Sequence, residues 1–305
     1  MSQRLLVIGE ALVDVVTDAS GESAEHVGGS PANVAVGLAR LDHVVDFATS
    51  LGRDERGTRI ADHLRRHGVT VLPESFGDAP TSVAVATLDG DGAATYDFDL
   101  HWDLPEVRLP AGTAHVHTGS IGTVLSPGER SVTTALRTVR EHGTVSYDPN
   151  IRPSIMGDLD RVRDRVEELV GLSDVVKASE DDLDLMYGGQ SAEQVMARWL
   201  ELGASLAVVT LGGEGVSFLV RGGQDLGTAP TRAERVVDTV GAGDSFMAGL
   251  VSGLVVSGLL GHPAARGRLR DATLEDVRPA IDRGLATSGV TVGKAGAYAP
   301  SLDEL

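Results

Sequence analysis

A glycine-rich turn beside an aspartate carries the clearest chemical signal in this chain. In the segment VDTVGAGDSFMAGL, Gly241 and Gly243 flank Ala242 and directly precede Asp244, where an apolar helical pattern begins. A helix N-terminus presents unpaired N–H groups and a positive dipole end, and glycine lets an anion approach without meeting a Cβ. A lone aspartate there also suits an ordinary helix cap. The paired glycines favour the alternative, an anion-binding turn beside a carboxylate.

This turn differs from two common phosphate-binding motifs. No Gly-Lys-Ser/Thr follows the glycines, which excludes a P-loop, and Phe246 occupies the place of the third glycine of a dinucleotide motif. Phosphoryl transfer depends mainly on positioning and charge neutralisation, with one carboxylate accepting the proton of the attacking hydroxyl. The segment therefore predicts a phosphate site in which Asp244 is a proton acceptor.

Composition and charge limit the classes of partner. The 305 residues are 42% hydrophobic, include no cysteine and carry a formal net charge of −18. This acidity disfavours nucleic acids and anionic membranes as partners, and the lack of cysteine excludes disulfides and thiolate metal sites. The first 16 residues are predicted to hold a strand rather than a signal peptide, and the apolar run 246–261 falls short of the roughly 20 residues of a membrane span. We therefore expect a cytoplasmic protein.

Strand-like and helix-like segments alternate along the chain. The predicted strands are 4–9, 44–51, 115–119, 144–148, 174–177, 206–211 and 216–220. The predicted helices are 31–41, 54–67, 127–142, 159–170, 191–202, 245–260 and 274–290. This order predicts an α/β fold with a largely parallel central sheet and helices on both faces.

Two β-rich runs, 81–88 and 93–100, interrupt the alternation. Asp89-Gly90-Asp91-Gly92 between them is a hairpin turn signal, and residues 12–28 contain further strand-like segments. We expect one α/β domain over 1–305 with a discontinuous β lid built from about residues 12–28 and 81–104. Pairing of two such lids would cover an exposed sheet edge or face, which predicts a homodimer through the lid.

Two motifs resemble the signatures of the PfkB, or ribokinase-like, carbohydrate kinases. VDTVGAGDSFMAGL is similar to the C-terminal signature of that family, and GGSPANVA, which starts at Gly28, is similar to the N-terminal one. The resemblance implies a ribokinase-like fold and transfer of phosphate from ATP to a sugar hydroxyl. It also implies that Asp244 is the catalytic base and that the N–H groups of Gly241, Ala242 and Gly243 form the anion hole.

Further segments resemble the fructokinase branch of the family, namely GEALVDVV, DPNIR and DLHWDL, which begin at residues 9, 148 and 99. This implies fructose as the acceptor, with a set of sugar-binding residues: Asp14, Gly28, Gly29, Asn33 and Trp102. The resemblance makes Arg152 a candidate for contacting the substrate or the transferring phosphate, which a guanidinium can bind in a bidentate manner. Turn and cap chemistry is the alternative reading of the segment around Gly28.

The nucleotide and metal sites of the family also have counterparts here. The resemblance implies ATP contacts from Lys177, Ser179, Thr210, Gly212 and Gly215, and a water-mediated Mg²⁺ role for Asp182. It further implies a K⁺ site near four residues: Asp238, Val240, Lys294 and Gly296. Asp182 stands where the family usually has Glu, Ser179 where many members have Asn, and Lys294 where Arg is usual. The metal role of Asp182 and K⁺ dependence therefore stay open, as do a helix cap at Ser179 and a tight turn at Gly212.

Several alternatives remain at this point. Within the family, a 2-keto-3-deoxygluconate kinase, a ribokinase or a nucleoside kinase is possible, and outside it a non-catalytic sugar-binding regulator. His115 and His117 would share one face of a strand and could bind a metal in a hydrolase. No further ligands follow at a recognisable spacing, which favours histidines of the core.

Overall fold

The computed structural model describes residues 3–17, 22–88, 94–223 and 225–305. The strands are β1 (Arg4–Ile8), β2 (Leu12–Thr17), β3 (Ser23–Gly28), β4 (Val44–Ala48), β5 (Leu51–Gly52), β6 (Val69–Val71), β7 (Phe76–Gly77), β8 (Val83–Leu88), β9 (Ala94–Asp99), β10 (Thr113–Gly119), β11 (Thr144–Asp148), β12 (Val175–Ser179), β13 (Leu206–Thr210), β14 (Val216–Val220) and β15 (Gly227–Ala229). The α-helices are α1 (Ser30–Arg40), α2 (Glu55–Arg66), α3 (Glu129–Val139), α4 (Pro153–Met156), α5 (Leu159–Val170), α6 (Glu180–Tyr187), α7 (Ala192–Leu202), α8 (Ala242–Val256), α9 (Ala265–Arg270) and α10 (Leu274–Val292).

The central sheet is largely parallel. Within the described residues its strand order is β15-β14-β13-β12-β11-β10-β1-β4-β6. Neighbours from β13 through β6 run parallel, whereas β14 and β15 add an antiparallel edge. Parallel neighbours bring the carboxyl ends of β1, β10, β11, β12 and β13 to the same edge, which is where such sheets bind ligands.

Helices cover both faces of this sheet because its buried strands are apolar on both sides. In β1, Leu5 and Val7 belong to the apolar core under α1, α2, α8 and α10. Leu6 and Ile8 belong to the opposite core under α3, α5, α6 and α7. Successive side chains of a strand point to opposite faces, so a continuous apolar run requires two covered faces. The predicted α/β class is confirmed.

A second, small sheet stands apart with the order β3-β2-β8-β9. β2 pairs antiparallel with β3 and parallel with β8, and β8 pairs antiparallel with β9. Its strands fall within the segments 12–28 and 81–104, where the sequence predicts a lid. The predicted turn Asp89–Gly92 lies outside the described residues.

Some predicted elements have different bounds. The strand predicted over 44–51 is two strands, β4 and β5, because the Thr49 N–H donates to Ser75 Oγ at 3.1 Å instead of continuing a ladder. α8 starts at Ala242, three residues before the predicted start. The short elements α4, α9, β6 and β15 were not predicted, because they are too brief to show a period.

α8 is buried along nearly all its length and packs on α10. A Cβ on Gly253 would lie 2.5 Å from the Ala280 Cα, so this glycine allows close approach of the two helices. In the part of the chain that the structure describes, no helix is both long and apolar enough to cross a membrane.

Candidate active site

The first turn of α8 is open toward a cavity. Gly241 precedes the helix in the left-handed conformation, with φ of 74°, and a Cβ there would lie 2.7 Å from the Ala297 Cβ. Among the described residues, no acceptor takes the N–H of Gly241 or Gly243. The Ala242 N–H, predicted to serve the anion hole, donates to the Thr239 carbonyl at 3.2 Å. The two glycine amides are therefore free to bind an anion.

Asp244 is held by two donors from the start of α1. Ser30 Oγ donates to Asp244 Oδ1 at 2.6 Å, and Asn33 Nδ2 donates to Asp244 Oδ2 at 2.8 Å. Ser30 and Asp244 are 214 positions apart in the sequence, so the fold joins the two motifs that resemble family signatures. Ser30 was not predicted as a site residue, although it lies inside the N-terminal motif.

A buried ion pair lies behind this turn. Lys177 Nζ donates to Asp148 Oδ2 at 2.9 Å, with 5% and 1% of the two side chains exposed. Burial lowers the pKa of Lys177, but the carboxylates of Asp148, Asp182 and Asp244 more than offset this, so the pKa is raised overall. Lys177 therefore stays charged, and its Nζ lies 3.0 Å from where a Cβ on Gly243 would stand. A fixed positive charge beside an anion-binding turn suits a phosphate.

Asp182 holds the segment after β11 in place through a hydrogen bond. Its Oδ1 accepts the Ile151 N–H at 2.7 Å, and its Oδ2 accepts the N–H and Oγ–H of Ser179 at 2.8 and 2.6 Å. Asp182 and Ser179 thus form a capping box at the start of α6, which is the helix-cap alternative of the sequence. This arrangement positions the loop that carries Arg152. Arg152 is an exposed residue that lines the larger of the two cavities at the start of α8.

The larger cavity, of about 590 Å³, lies between the two sheets. Polar groups line it on the central-sheet side, among them Glu10, Asn33, Arg152, Lys177 and Asp244, and Asp14 lines it from the small sheet. Burial raises the pKa of Asp14, and His26 partly offsets the increase. The predicted acceptor residues Asp14, Gly29 and Asn33 therefore share one cavity.

Gly28 and Trp102 take other positions. A Cβ on Gly28 would collide with the Asp14 carboxylate, so Gly28 makes room for that side chain. Trp102, predicted to contact the substrate, lies outside the cavity. Its indole is 6% exposed and packs in the core under α3 and α5. The Trp-containing segment reaches the site only indirectly.

A smaller, mainly apolar cavity of about 210 Å³ borders the other side of the same turn. Its lining includes the predicted residues Thr210, Gly212 and Gly215, together with Phe246 and Val292. Gly212 and Gly215 have φ of 53° and 106°, values that suit glycine. Both cavities are lined by Thr239 and Gly243, so they meet at the start of α8.

The residues predicted for a K⁺ site surround a neighbouring loop. Asp238 Oδ1 accepts the Val240 N–H at 3.0 Å, and Oδ2 accepts the Gly296 N–H at 2.8 Å. These bonds lower the pKa of Asp238. The Lys294 ammonium lies 5.6 Å from the centroid of the Tyr298 ring, so its side chain is directed at an aromatic face rather than at Asp238.

His115 and His117 are both buried, and both are hydrogen-bonded to side-chain hydroxyl groups. His115 contacts Thr144 Oγ1 and Ser146 Oγ, both at 2.9 Å, and His117 contacts Ser146 Oγ at 3.0 Å. Burial lowers the pKa of each ring to about 3, so both are neutral. The described ranges contain no group of three or more His, Cys, Asp or Glu residues placed to hold a metal, and the hydrolase alternative has no support there.

Comparison with known proteins now assigns the family. The model of a protein family described as "pfkB family carbohydrate kinase" matches residues 2–304. The chain belongs to this family of carbohydrate kinases. The kinase is 34% identical over 274 residues to a fructokinase of Klebsiella pneumoniae, a match that covers 87% of this chain and 89% of the relative.

Solved structures agree with the fold of the kinase. A fructokinase of Xylella fastidiosa with bound ATP superposes with a TM-score of 0.85 at 24% identity, over 100% of this chain and 97% of the other. A double mutant of the Vibrio cholerae fructokinase, bound to fructose, ADP and potassium ion, superposes with a TM-score of 0.80 at 26% identity. That match covers 99% of this chain and 96% of the other, and the kinase therefore has a ribokinase-like fold.

Proposed function

We propose that this carbohydrate kinase is an ATP-dependent fructokinase that forms fructose 6-phosphate. One observation carries the proposal: an apolar, glycine-lined cavity and a polar cavity meet at Gly243, beside Asp244 and Lys177. A nucleotide and a sugar bound in these cavities would meet at the acid. The fructokinases among its relatives, one of them crystallised with fructose and ADP, support fructose as the acceptor.

On the donor side, ATP occupies the smaller cavity. The adenine base lies near Phe246 and Val292, between the loop of Gly212 and Gly215 and the C-terminal part of α10. The γ-phosphate lies at the free amides of Gly241 and Gly243, where the helix dipole and the Lys177 charge favour an anion. Ser179 supports this side as the cap of α6.

Cations assist on the same side. Asp148 Oδ1 is buried without a hydrogen-bond partner among the described residues, and Asp182 Oδ1 accepts one bond, so both retain lone pairs for Mg²⁺ or a water in its shell. Bound Mg²⁺ would neutralise phosphate charge. K⁺ would be held beside the loop of Asp238, Val240 and Gly296, with Lys294 at its margin.

On the acceptor side, Asp14, Gly29 and Asn33 hold the sugar, and Arg152 reaches the transferring phosphate. Three carboxylic acids line this cavity, those of Glu10, Asp14 and Asp244, which suits a neutral polyol with several hydroxyl donors. The small sheet acts as the lid, and its closure excludes water from the transferring phosphate.

Asp244 is the base. It accepts the proton of the C6 hydroxyl while that oxygen forms a bond to the γ-phosphorus. The bond from this phosphorus to the β,γ-bridging oxygen breaks, and ADP leaves with the electron pair. The lysine charge and the two glycine amides stabilise the negative charge that develops on the phosphoryl oxygens.

A coupled assay of ADP release tests the acceptor. Fructose should give the highest kcat/KM in a panel with ribose, 2-keto-3-deoxygluconate, adenosine and tagatose. A higher kcat/KM for 2-keto-3-deoxygluconate or ribose would replace fructose with that sugar. No sugar-dependent ADP release across the panel would favour a sugar-binding regulator instead.

The Asp244→Asn variant tests the base. Both ligands should still bind, because the amide oxygen can accept the Ser30 hydrogen bond, while kcat should fall by about 10²–10⁴-fold. Isothermal titration measures binding and the coupled assay measures kcat. A kcat within about threefold of the wild type would remove Asp244 from this role.

We also propose a cytoplasmic homodimer that pairs through the small sheets. An exposed sheet edge is a ready surface for a second copy. Sedimentation equilibrium at assay concentrations gives the mass, and a monomer under those conditions would contradict the dimer.

A further inference from the structure

Glu10 is a buried acid that takes no part in the proposed phosphate transfer itself. It lies two residues after the end of β1, is 6% exposed and lines the larger cavity, in which we place the acceptor sugar. Its Oε2 accepts the Gly122 N–H at 3.0 Å, and the nearby Ser120 side chain favours the charged form of the carboxyl group. The carboxyl group therefore ties the end of β1 to the turn of residues 120–123.

Trp102 reaches the same turn from the opposite side. Its Nε1 donates to the Gly122 carbonyl at 2.8 Å, and its own carbonyl accepts the Gly128 N–H at 3.1 Å. A Cβ on Gly122 would lie 3.0 Å from the indole and 3.1 Å from Glu10 Oε2. Gly122 is thus enclosed between the two side chains, with its N–H bound by one and its carbonyl by the other.

The turn itself is a wall of the acceptor cavity, and it needs support. Ser120 and Ile121 line the cavity, and Ser120 has φ of 55°, a conformation unfavourable for a residue with a Cβ. Such a conformation persists where surrounding contacts hold it. The Ser120 N–H donates to the Asp148 carbonyl at 3.0 Å, and the contacts of Glu10 and Trp102 hold Gly122 two residues later.

The electrostatics of Glu10 agree with a supporting position. Burial raises the pKa of Glu10 to about 7, the Ser120 side chain and the Gly122 N–H partly offset this, and the Asp244 charge adds to the increase. A carboxyl group that is often protonated near neutral pH repels Asp244 less than a fixed charge would. In either protonation state it can accept the Gly122 N–H.

We propose that Glu10 and Trp102 are positioning residues that fix the 120–123 turn against the acceptor sugar and so set the affinity for that sugar. The assignment rests on the proposed function for its substrate. It gives Trp102 a role through Gly122 in place of the direct sugar contact that the sequence predicts.

Glu10→Ala and Glu10→Gln test the first half. Glu10→Ala removes the acceptor of the Gly122 N–H, so KM for fructose should rise by about tenfold while KM for ATP changes by less than about twofold. The Gln side chain keeps an acceptor oxygen at the same length and should restore KM to within about threefold of the wild type. An unchanged fructose KM in a folded Glu10→Ala protein would overturn the assignment.

Trp102→Phe tests the second half without a change in charge. It removes the donor to the Gly122 carbonyl but keeps an aromatic ring, so fructose KM should rise by about three- to tenfold. Trp199→Phe is the matched control, because Trp199 is also buried, at 0% exposed, and its indole donates to Tyr187 Oη, and neither residue lines the cavity. Equal rises of fructose KM in both variants would show a general loss of stability and contradict the assignment.

Hydrogen–deuterium exchange of the peptide that spans 119–125 gives a readout independent of catalysis. Exchange there should accelerate by about tenfold in Glu10→Ala and stay at the wild-type rate in Trp199→Phe. Wild-type protein inactive toward every sugar would refute the proposed function, while this exchange would still decide the support of the turn. Wild-type exchange rates in Glu10→Ala would overturn the inference even for an active kinase.

Discussion

The donor side and the acceptor side of the site are built from different interactions. The donor side uses backbone amides at Gly241 and Gly243 with one buried ion pair, Lys177–Asp148, all within the central sheet and its helices. The acceptor side uses side chains from two sheets, with Asp14 on the small sheet facing Asn33 and Glu10 across the cavity. The donor side therefore belongs to one packed unit, the central sheet with its helices, whereas the acceptor side is formed by that unit and the small sheet together.

The two sides should differ in the substitutions that they tolerate. A backbone anion site offers few side chains to exchange, and its buried charges are costly to disturb. The acceptor side depends on how the small sheet is placed against the core, so substitutions there can alter KM for the sugar while the phosphate geometry remains. Substitutions on the two sides should therefore change different kinetic constants.

The largest effect is expected for Lys177→Met on the donor side. The neutral side chain removes the charge beside the phosphate turn, so kcat/KM for ATP should fall by at least about 10²-fold. It also leaves Asp148 buried without its partner, which should lower the free energy of unfolding by about 3–5 kcal/mol. Coupled kinetics and urea unfolding measure the two quantities.

Arg161→Met is the control for loss of a positive charge, because Arg161 is exposed on α5 and lines neither cavity. It should leave kcat/KM for ATP within about threefold of the wild type at saturating K⁺. Comparable losses in both variants would mean that charge near the nucleotide acts at long range. A buried charge on the donor side would then have no greater effect than a charge on the surface.

Sequence predicts the donor side better than the acceptor side, for a physical reason. The glycines and Asp244 act through backbone conformation and helix start, which are local and visible in VDTVGAGD. The bonds from Ser30 and Asn33 to Asp244 span 214 and 211 positions, so no local pattern reveals them. Only the family resemblance placed the two motifs together.

Trp102 shows the limit most clearly. The resemblance predicts a direct sugar contact, but the indole lies outside the cavity and is covered by Gly122 and Gly128, whose missing side chains leave it room. Whether an aromatic ring faces a ligand or supports the wall behind it depends on packing from distant segments. The strand and helix order needed only periodicity and was predicted well.

Ser30→Ala should have an intermediate effect, because it acts where the two sides meet. Loss of the 2.6 Å bond to Oδ1 leaves Asp244 held by Asn33 alone, so kcat should fall by about tenfold with smaller changes in either KM. Ser30→Thr keeps a hydroxyl and should recover most of kcat. A normal kcat in Ser30→Ala, or no recovery in Ser30→Thr, would show that this hydroxyl does not orient the base.

The smallest effect is expected at the junction of the small sheet with α2. Glu25 on β3 accepts Arg56 at 2.8 Å and Arg59 at 2.5 Å, and the Arg56 bond lowers the pKa of Glu25. The two arginines are 42% exposed, so the pairs contribute little in water and are screened by salt. Glu25→Gln should loosen the small sheet and raise fructose KM by about two- to threefold, with KM for ATP unchanged.

Added salt should weaken the Glu25 ion pairs of the wild type. With K⁺ held constant, added tetramethylammonium chloride should raise fructose KM in the wild type toward the Glu25→Gln value and change that variant little, because only the wild type has the pairs to screen. Asp62→Asn is the control, because Asp62 pairs with Arg65 at 2.6 Å within α2 and has no ion pair to the small sheet among the described residues. Equal rises of fructose KM in both variants, or a change of KM for ATP in Glu25→Gln, would contradict this prediction. The acceptor side would then not depend on the attachment of the small sheet, and the two sides would not differ in this respect.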